Sequence, residues 1–293
     1  MKHSKIVFIS NPVSGSTKKK PGATFLRSQF DSSYETVFLE SKYSGHASEL
    51  AAEAVKNNAT TVVAIGGDGT VNEIARSLNG TACVLGIIPC GSGNGLARHH
   101  NISMNVPEAI AVIKKNNVVS HDAVSINGQL SFNVSGIGFD AHVAHLFGKD
   151  GKRGFNTYIK LVVKEFANYS EKEIRVTTNE GVIAQPIMLA AIANGSQFGN
   201  NARIAPHANT NDGMVDITLV RKMSAWKLPM FMYEVFNHKA ARSSHAKLLK
   251  GENFVIDCET EIPLHIDGEP AGFSRKFMVS TLKSSLRLIV PLK

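Results

Sequence analysis

The residues best able to do chemistry form a glycine-rich segment, Gly66-Gly67-Asp68-Gly69-Thr70, which follows an apolar run. Glycines let a backbone approach a phosphate closely, and a helix that begins there offers unpaired N–H groups and a positive dipole end. A carboxylate such as that of Asp68 tolerates a neighbouring phosphate only if a cation lies between them, and Mg²⁺ suits that role. The alternative is a plain strand-to-helix turn in which Asp68 or Thr70 caps the helix.

Two further polar loops also follow apolar runs. Residues 11–15 read Asn-Pro-Val-Ser-Gly, and residues 89–97 read Pro-Cys-Gly-Ser-Gly-Asn-Gly-Leu-Ala. If all three loops follow parallel strands, they meet at one edge of a sheet, where such sheets bind ligands. Their spacing differs from the Gly-x-x-x-x-Gly-Lys of a P-loop and from the Gly-x-Gly-x-x-Gly of a dinucleotide fold. Convergence of the three loops is therefore the main indication of a phosphate site.

The elements that would position these loops alternate along the first half of the chain. Apolar, β-branched runs predict strands at 5–10, 34–39, 61–65, 84–88 and 118–126. Helical patterns between them lie at 47–57, 71–78 and 107–115. Strands alternating with helices predict βαβ units, and therefore a parallel sheet covered by helices on both faces.

After residue 125 the pattern becomes strand-rich, with Asn-Gly and Asp-Gly pairs typical of hairpins and helical patterns at 139–147, 155–168 and 225–237. We therefore predict an α/β + β protein. Its N-terminal, doubly wound parallel-sheet domain spans residues 1–125, and its mainly antiparallel β domain spans 126–293. The active site is expected in the interdomain cleft. The last run, 286–290, could pair in either domain.

Composition limits the class of partner. The chain has 293 residues, 43% of them hydrophobic, and a net charge of +8. The basic charge favours nucleic acid, an anionic membrane surface or a phosphorylated substrate. No zinc-finger spacing, RNA-binding aromatic strand or arginine-rich arm supports nucleic acid. Lysines 18–20 are interpreted as a solvated loop, with contact to nucleotide phosphates or lipid headgroups as the alternative.

Three cysteines, an odd number in no metal-ligand pattern, indicate free thiols in a reducing compartment. No window offers the ~18 consecutive apolar residues of a membrane-spanning helix. We therefore expect a cytoplasmic protein, with peripheral contact at the inner membrane face left open. Trp226, Met230, Phe231 and Val235 follow an approximate helical spacing. We interpret them as core, with a lipid-facing edge as the alternative.

Together these motifs closely resemble the diacylglycerol kinase catalytic family, which includes soluble bacterial lipid kinases and the sphingosine and ceramide kinases. The resemblance runs through most of the chain, at 11–15, 66–73, 89–94, 133–140, 194–195, 205–206, 212–216 and 265–269. The glycine-aspartate core alone is shared with NAD kinases and phosphofructokinases. The resemblance implies a nucleotide-binding domain followed by a β-sandwich domain, and transfer of the γ-phosphoryl group of ATP to a lipid alcohol.

The resemblance also implies roles for individual residues. The nucleotide contacts would be Asn11, Pro12, Val13, Ser14, Gly15, Ser41, Gly66, Gly67, Asp68, Gly69, Thr70, Val71, Asn72, Glu73, Ser92 and Asn94. The catalytic group would comprise Glu269 as the favoured base, Asp267 close behind it, and Asp68 beside the metal and nucleotide. A structural Mg²⁺ would lie at Asp212, supported by the carbonyls of Asn209 and Met214. Simple turns are the alternative at both Asp-Gly sites.

One position departs from the family's pattern. Gly95 stands where many bacterial members have an aspartate, and the loop reads more like that of sphingosine kinases. Diacylglycerol and a long-chain sphingoid base therefore both stay open as acceptors. The expected partner is a lipid substrate at a membrane surface, with anionic lipid contact and a homodimer left open and no nucleic acid. The competing hypotheses are an NAD kinase-like kinase of a soluble acceptor and a catalytically silent nucleotide- or lipid-binding regulator.

Overall fold

The computed structural model describes residues 4–13, 20–147 and 155–292, without the side chains of residues 155 and 156. The chain divides into two compact units. The first comprises the residues up to His121 and those from Ser284 onward, and the second is Asp122–Lys283. The boundary therefore falls slightly before the predicted residue 125, and the last residues of the chain group with the first unit.

The first unit contains a parallel sheet. Its strands are β1 (Ser4–Ser10), β2 (Tyr34–Glu40), β3 (Thr61–Gly66) and β4 (Val84–Pro89). Their spatial order is β2-β1-β3-β4, and the end of the last strand, β14 (Glu269–Ile289), pairs in parallel with β4. Every residue of β3 and β4 is buried, as expected for a sheet covered on both faces. The strand order reverses between β1 and β3, and such a switch point is where open α/β sheets bind ligands.

Helices follow the strands of this unit. They are α1 (Ala23–Ser28), α2 (His46–Lys56), α3 (Asp68–Leu78), α4 (Gly95–His99) and α5 (Val106–Lys115). At the start of α5 the Asn105 side chain accepts the Glu108 N–H at 3.3 Å, a local N-cap. Helix α3 begins at Asp68 and not at Val71, so part of the glycine-rich segment is itself the first helical turn. The predicted N-terminal parallel sheet with intervening helices is confirmed.

The second unit is mainly antiparallel. Its strands are β5 (Val118–Ile126), which begins in the first unit, β6 (Gln129–Ser131), β7 (Val134–Gly138), β8 (Lys172–Thr178), β9 (Gly181–Ile187), β10 (Leu189–Ala193), β11 (Val215–Val220), β12 (Ala246–Gly251), β13 (Asn253–Ile266) and most of β14. Strands β12, β11, β10, β7, β13 and β14 are neighbours in that order, and β8 pairs with both β13 and β9. The helices are α6 (Phe139–Leu146), α7 (Phe155–Phe166) and α8 (Leu228–Phe236).

The hairpin turns follow from local sequence. Asn127 and Gly128 join β5 to β6 with φ values of 50° and 82°, and Asp267 and Gly268 join β13 to β14 with φ values of 48° and 90°. Two successive residues with positive φ are the mark of the tight turn that matches the twist of paired strands. These two pairs therefore form hairpins as the sequence predicted, whereas Asp212-Gly213 lies at the end of the long connection between β10 and β11.

Strand β10 shows how the second unit buries both faces of its sheet. Ala190 and Ile192 pack into one apolar cluster with β8, β13 and β14, whereas Ala191 and Ala193 pack into another with α6 and α8. The alternation is the two-residue period of a strand. Apolar side chains therefore cover this strand on both sides.

The interpretation of the stretch around α8 as core was correct for only half of its residues. Phe231 and Val235 are buried in the cluster of apolar side chains. Trp226 and Met230 are 77% and 58% exposed, so the core prediction was wrong for these two.

Across the described ranges, no helix combines the length and apolar character needed to cross a membrane.

Candidate active site

In the first unit, loops from neighbouring strands are joined at the carboxyl edge of the sheet. The Asn11 N–H, just after β1, donates to the carbonyl of Ile65 in β3 at 3.2 Å. The Ser41 N–H, just after β2, donates to the carbonyl of Ser10 at 2.9 Å. These bonds hold the ends of β1, β2 and β3 together at the switch point.

The loops after β3 and β4 pack backbone against backbone. The N–H groups of Cys90 and Gly91 donate to the Gly66 carbonyl at 2.8 and 3.2 Å. A Cβ atom on Gly91 would collide with the Cα of Gly67, and one on Gly67 would lie 3.2 Å from the Cα of Gly91. Glycine is needed at position 91, and a side chain at position 67 would also push the two loops apart. Two predicted phosphate loops thus form one continuous stretch of backbone.

Asp68 holds the second of these loops in place. Its Oδ2 accepts the Asn94 N–H at 2.8 Å and its Oδ1 accepts the Gly95 N–H at 2.7 Å, at the start of α4. Asn94 itself has φ of 52°, and its side chain bonds to the N–H and the carbonyl of Gly91. A metal ion that contacted Asp68 directly would have to compete with these two donors. The geometry therefore gives Asp68 a positioning role beside the predicted metal role.

Glu73 acts in the same way on a different helix. Its Oε1 accepts the Gly45 N–H at 3.0 Å and its Oε2 accepts the Ala47 N–H at 3.1 Å. These groups form the first turn of α2, where the helix dipole favours a negative charge. Asp68 and Glu73 therefore each fix the N-terminus of a neighbouring helix.

The other predicted nucleotide residues differ in accessibility. Pro12, Val13 and Ser92 are exposed, whereas Asn11, Gly67 and Gly69 are half-buried. The buried members of the set are Ser41, Gly66, Thr70, Val71, Asn72 and Asn94. Ser14 and Gly15 lie outside the described residues. The exposed and half-buried residues are accessible to a nucleotide, at the two glycines through backbone atoms, while the buried ones shape the loops.

Lys20 is a candidate functional residue that sequence reasoning had not singled out from its neighbours. Its ammonium donates to the carbonyl of Asn11 and, at 2.9 Å, to that of Pro12. Partial burial lowers the pKa of Lys20, and nearby Cys90 and Glu40 act in the opposite direction. Lysines 18 and 19 lie outside the described residues. Lys20 thus provides a cation beside the first loop, where a phosphate would need one.

In the second unit, the turn between β13 and β14 holds the two carboxylates that were candidates for the base. The Asp267 side chain is buried and accepts three bonds, from the Ser131 hydroxyl at 2.7 Å and the N–H groups of Phe132 and Asn133 at 2.9 and 3.0 Å. These three donors fix the orientation of the carboxylate, and its burial keeps it away from the surface. Asp267 is an anchor for the turn.

Glu269 has the opposite surroundings. It is exposed at the start of β14, opposite Ile266 across the hairpin. Within the described part of the chain its carboxylate makes no hydrogen bond and no ion pair. Of the two carboxylates, Glu269 is the one that is accessible to a substrate.

A buried pair, His265 and Asp140, also supports this turn. The His265 Nδ1 accepts the Gly268 N–H at 3.1 Å, and its Nε2 lies 3.1 Å from the Asp140 carboxylate. Because Nδ1 accepts, the ring carries its proton on Nε2 and donates it to Asp140. A Cβ on Gly136 would collide with the Asp140 carboxylate, so a glycine is needed there. The sequence contained these residues within its motifs but did not reveal their contact, which joins elements over a hundred positions apart.

Replacing Asp267 by asparagine should reduce the stability of the second unit by roughly 2–4 kcal/mol, since asparagine offers one acceptor oxygen and turns an NH₂ group toward a buried donor. Urea denaturation followed by circular dichroism measures the effect. The control is Asp257→Asn on β13, the strand that leads into the turn, whose carboxylate forms a loose surface pair with Lys276 at 3.9 Å. That change should cost less than about 0.5 kcal/mol. Equal effects of the two substitutions would contradict the anchoring role.

The predicted metal site is arranged around a lysine. The Lys250 ammonium lies 2.8 Å from the Asp212 carboxylate and 3.6 Å from that of Asp216. Burial raises the pKa of Asp216, and Lys250 opposes that shift. The other oxygen of Asp212 accepts the Met214 N–H at 3.0 Å, and Asn209 is exposed. In the described ranges no three His, Cys, Asp or Glu side chains form a metal-binding group. As arranged, these residues do not fit Mg²⁺, which would have to displace Lys250.

Without nucleotide, the wild-type melting temperature should therefore be the same in EDTA as in about 5 mM Mg²⁺, because a cation already neutralises the two carboxylates. Lys250→Met should melt lower than wild type and recover in Mg²⁺. Lys247→Met, an exposed lysine on the same strand, should do neither. Differential scanning fluorimetry is sufficient. A wild-type protein that melts markedly lower in EDTA would show that a metal ion occupies the site.

Two protein-family models match this chain, one in each half. Residues 5–126 match the model of the diacylglycerol kinase catalytic domain, and residues 133–290 match that of the YegS C-terminal NAD kinase beta sandwich-like domain. The second match alone covers more than half of the chain. The chain belongs to the family of diacylglycerol kinases and YegS-like lipid kinases. The family and fold class predicted from the sequence are thereby confirmed.

Individual relatives of this lipid kinase family member agree. A Chromohalobacter salexigens protein named "Probable lipid kinase YegS-like" is 27% identical over 84% of this chain and 81% of its own length. A Bacillus subtilis protein named diacylglycerol kinase is 25% identical over 93% of this chain and 91% of its own. A crystal structure named as a diacylglycerol kinase from Bacillus anthracis str. Sterne aligns with a TM-score of 0.75 at 19% identity, over 99% of this chain and 98% of that one. The structural likeness supports the fold.

Proposed function

We propose that this chain transfers the γ-phosphoryl group of ATP to the hydroxyl group of a lipid, of the diacylglycerol or sphingoid-base type. The observation that carries the proposal is Glu269, an exposed carboxylate on a turn whose other residues are fixed by buried hydrogen bonds. An accessible carboxylate on a turn that is itself fixed suits the removal of a proton from an alcohol. The family supplies the reaction class, since its members include proteins named lipid kinase and diacylglycerol kinase.

The glycine-rich backbone at the switch point would receive the phosphates of the nucleotide. Gly67 and Gly69 are half-buried at the start of α3, where N–H groups and the helix dipole favour negative charge. Lys20 adds a positive charge beside the loop after β1. Mg²⁺ bound with the nucleotide would neutralise the charge that develops on the phosphates.

The chemical step is a displacement at phosphorus. The lipid hydroxyl oxygen forms a bond to the γ-phosphorus, the bond to the β–γ bridging oxygen breaks, and ADP leaves. The proton of the hydroxyl passes to the Glu269 carboxylate. Such positioned bases contribute about 10²–10⁴-fold to rate, and the alignment of the two substrates contributes the rest.

Radiolabelled ATP tests the proposal when it is offered with separate acceptors: diacylglycerol, monoacylglycerol, sphingosine, ceramide, phosphatidylglycerol and NAD. We expect Mg²⁺-dependent label in at least one lipid and none in NAD. The comparison of diacylglycerol with sphingosine decides between the two acceptor types that Gly95 leaves open. If label appears only in NAD, the proposal is wrong and the protein is a kinase of a soluble acceptor. No label in any acceptor would favour a regulator that binds without catalysis.

A further inference from the structure

Helix α8 and the 3₁₀ turn before it, Ala225–Lys227, carry an exposed apolar face. Trp226, Met230 and Tyr233 are 77%, 58% and 53% exposed. They follow one another at intervals of four and three residues, which places them on one side of a helix. We call these three residues the Trp226 face. The other side of the helix contributes Phe231 and Val235 to the core, so the helix is firmly attached to the second unit.

The same part of the chain carries most of the excess positive charge. Residues 221–250 contain seven lysines or arginines and a single glutamate, in a chain whose net charge is +8. Lys222 donates to backbone carbonyls, and Lys250 pairs with Asp212. The remaining five are Arg221, Lys227, Lys239, Arg242 and Lys247. In the described ranges none of these five forms an ion pair.

An exposed apolar face together with excess positive charge suits the surface of an anionic membrane. Tryptophan and tyrosine present an apolar ring and a polar N–H or O–H, which suits the boundary between lipid chains and headgroups. A lysine or arginine beside such a ring is able to extend toward headgroup phosphates, and basic residues nearby are attracted by anionic lipid. Lys227 already lies 5.4 Å from the centre of the Trp226 ring, so charge and aromatic surface are adjacent.

We propose that the Trp226 face docks the protein on an anionic lipid bilayer, with Lys227 against the headgroups and the net positive charge of residues 221–250 attracted to the anionic surface. The choice of a lipid surface rests on the proposed function, since a lipid acceptor must be reached in a membrane. The location of the surface rests on exposure and charge. A second copy of the chain is a poorer occupant, because pairing the same face would bring two basic regions together.

Trp226 makes the test direct, because it is the chain's single tryptophan. The wild-type protein is titrated with vesicles of phosphatidylcholine containing about one-third phosphatidylglycerol, without ATP or acceptor lipid. Its emission should shift to shorter wavelength and be quenched by brominated lipid chains. The affinity of the protein for vesicles of pure phosphatidylcholine should be at least roughly tenfold lower than that for the anionic vesicles. About 0.5 M NaCl should release the protein from the anionic vesicles, since salt screens the interaction between surface charges. No shift with anionic vesicles, or a shift that depends only on protein concentration, would overturn the inference.

Variants assign the effect to this surface. Met230→Ser/Tyr233→Ser and, separately, Lys227→Glu/Arg242→Glu should each lower co-sedimentation with anionic vesicles by roughly tenfold or more. Val182→Ser, an equally exposed apolar residue on β9, is the matched control and should bind like wild type. Variants that bind as well as wild type would overturn the inference.

Label transfer to detergent-dispersed lipid is measured in parallel. Loss of binding without loss of transfer supports the docking role, and binding by a protein that transfers no label overturns only the proposed function.

Discussion

Replacing Glu269 by glutamine is expected to lower kcat for lipid phosphorylation by about 10²–10⁴-fold, with little change in the KM for ATP. Glutamine keeps the size and the hydrogen-bonding ability of the side chain but cannot accept the proton of the attacking hydroxyl. The side chain is exposed and has no partner in the described part of the chain, so the fold should be unaffected. Initial rates of label transfer over a range of ATP concentrations separate kcat from KM.

The matched control is Glu261→Gln, an exposed glutamate on β13, the strand that leads into the same turn. It removes the same charge from the same hairpin and should leave kcat within about twofold of wild type, as expected for a surface substitution. A Glu269→Gln protein that keeps full turnover would show that another group accepts the proton. In that case the kcat of Asp267→Asn tests the other carboxylate of the turn as the proton acceptor. We expect this variant to lose stability.

Replacing Asp68 by asparagine is expected to weaken ATP binding by at least about tenfold and to lower stability by roughly 1.5–3 kcal/mol, the usual worth of hydrogen bonds to a charged group. The carboxylate accepts N–H groups from Asn94 and Gly95 through its two oxygens. Asparagine can satisfy only one of them and presents its NH₂ group to the other. The loop after β4 should therefore move away from Gly67, which disrupts the joined backbone of the predicted phosphate site.

Isothermal titration with ATP and a urea melt measure the two effects of Asp68→Asn separately. Glu35→Gln is a control within the same unit, because Glu35 is exposed and, among the residues that the structure describes, its ion pair is with Lys5 on the neighbouring strand. Its ATP affinity should equal that of wild type. Loss of stability in Asp68→Asn with unchanged ATP affinity would mean that the loop is held by Asp68 but does not bind nucleotide.

The first unit could be predicted well because its information is local. Apolar runs such as that of β3 give strands, and the order of strands and helices along the chain gives the parallel sheet. The loops that contain Gly67 and Gly91 were predicted to approach a phosphate, and the structure shows that these two glycines pack against each other. Their mutual contact follows from β3 and β4 being neighbours, which the alternation of strands and helices already suggested.

The roles of individual carboxylates could not be predicted, because they depend on contacts between distant residues. Asp267 and Glu269 are two positions apart, yet one is buried against Ser131 and the other is exposed. Asp212 lies in a turn of ordinary composition, and only the pairing of β11 with β12 brings Lys250 to it. Trp226 fits a helical pattern equally well as core or as surface, and only the packing of α8 decides between them.

The most direct test of the central claim offers radiolabelled ATP and Mg²⁺ to the protein with a total bacterial lipid extract and a pool of soluble alcohols and NAD. The account predicts that label enters the organic phase with wild type, and that Glu269→Gln transfers less than about one-hundredth as much. Label confined to the aqueous acceptors, with none in the organic phase, would contradict a lipid kinase.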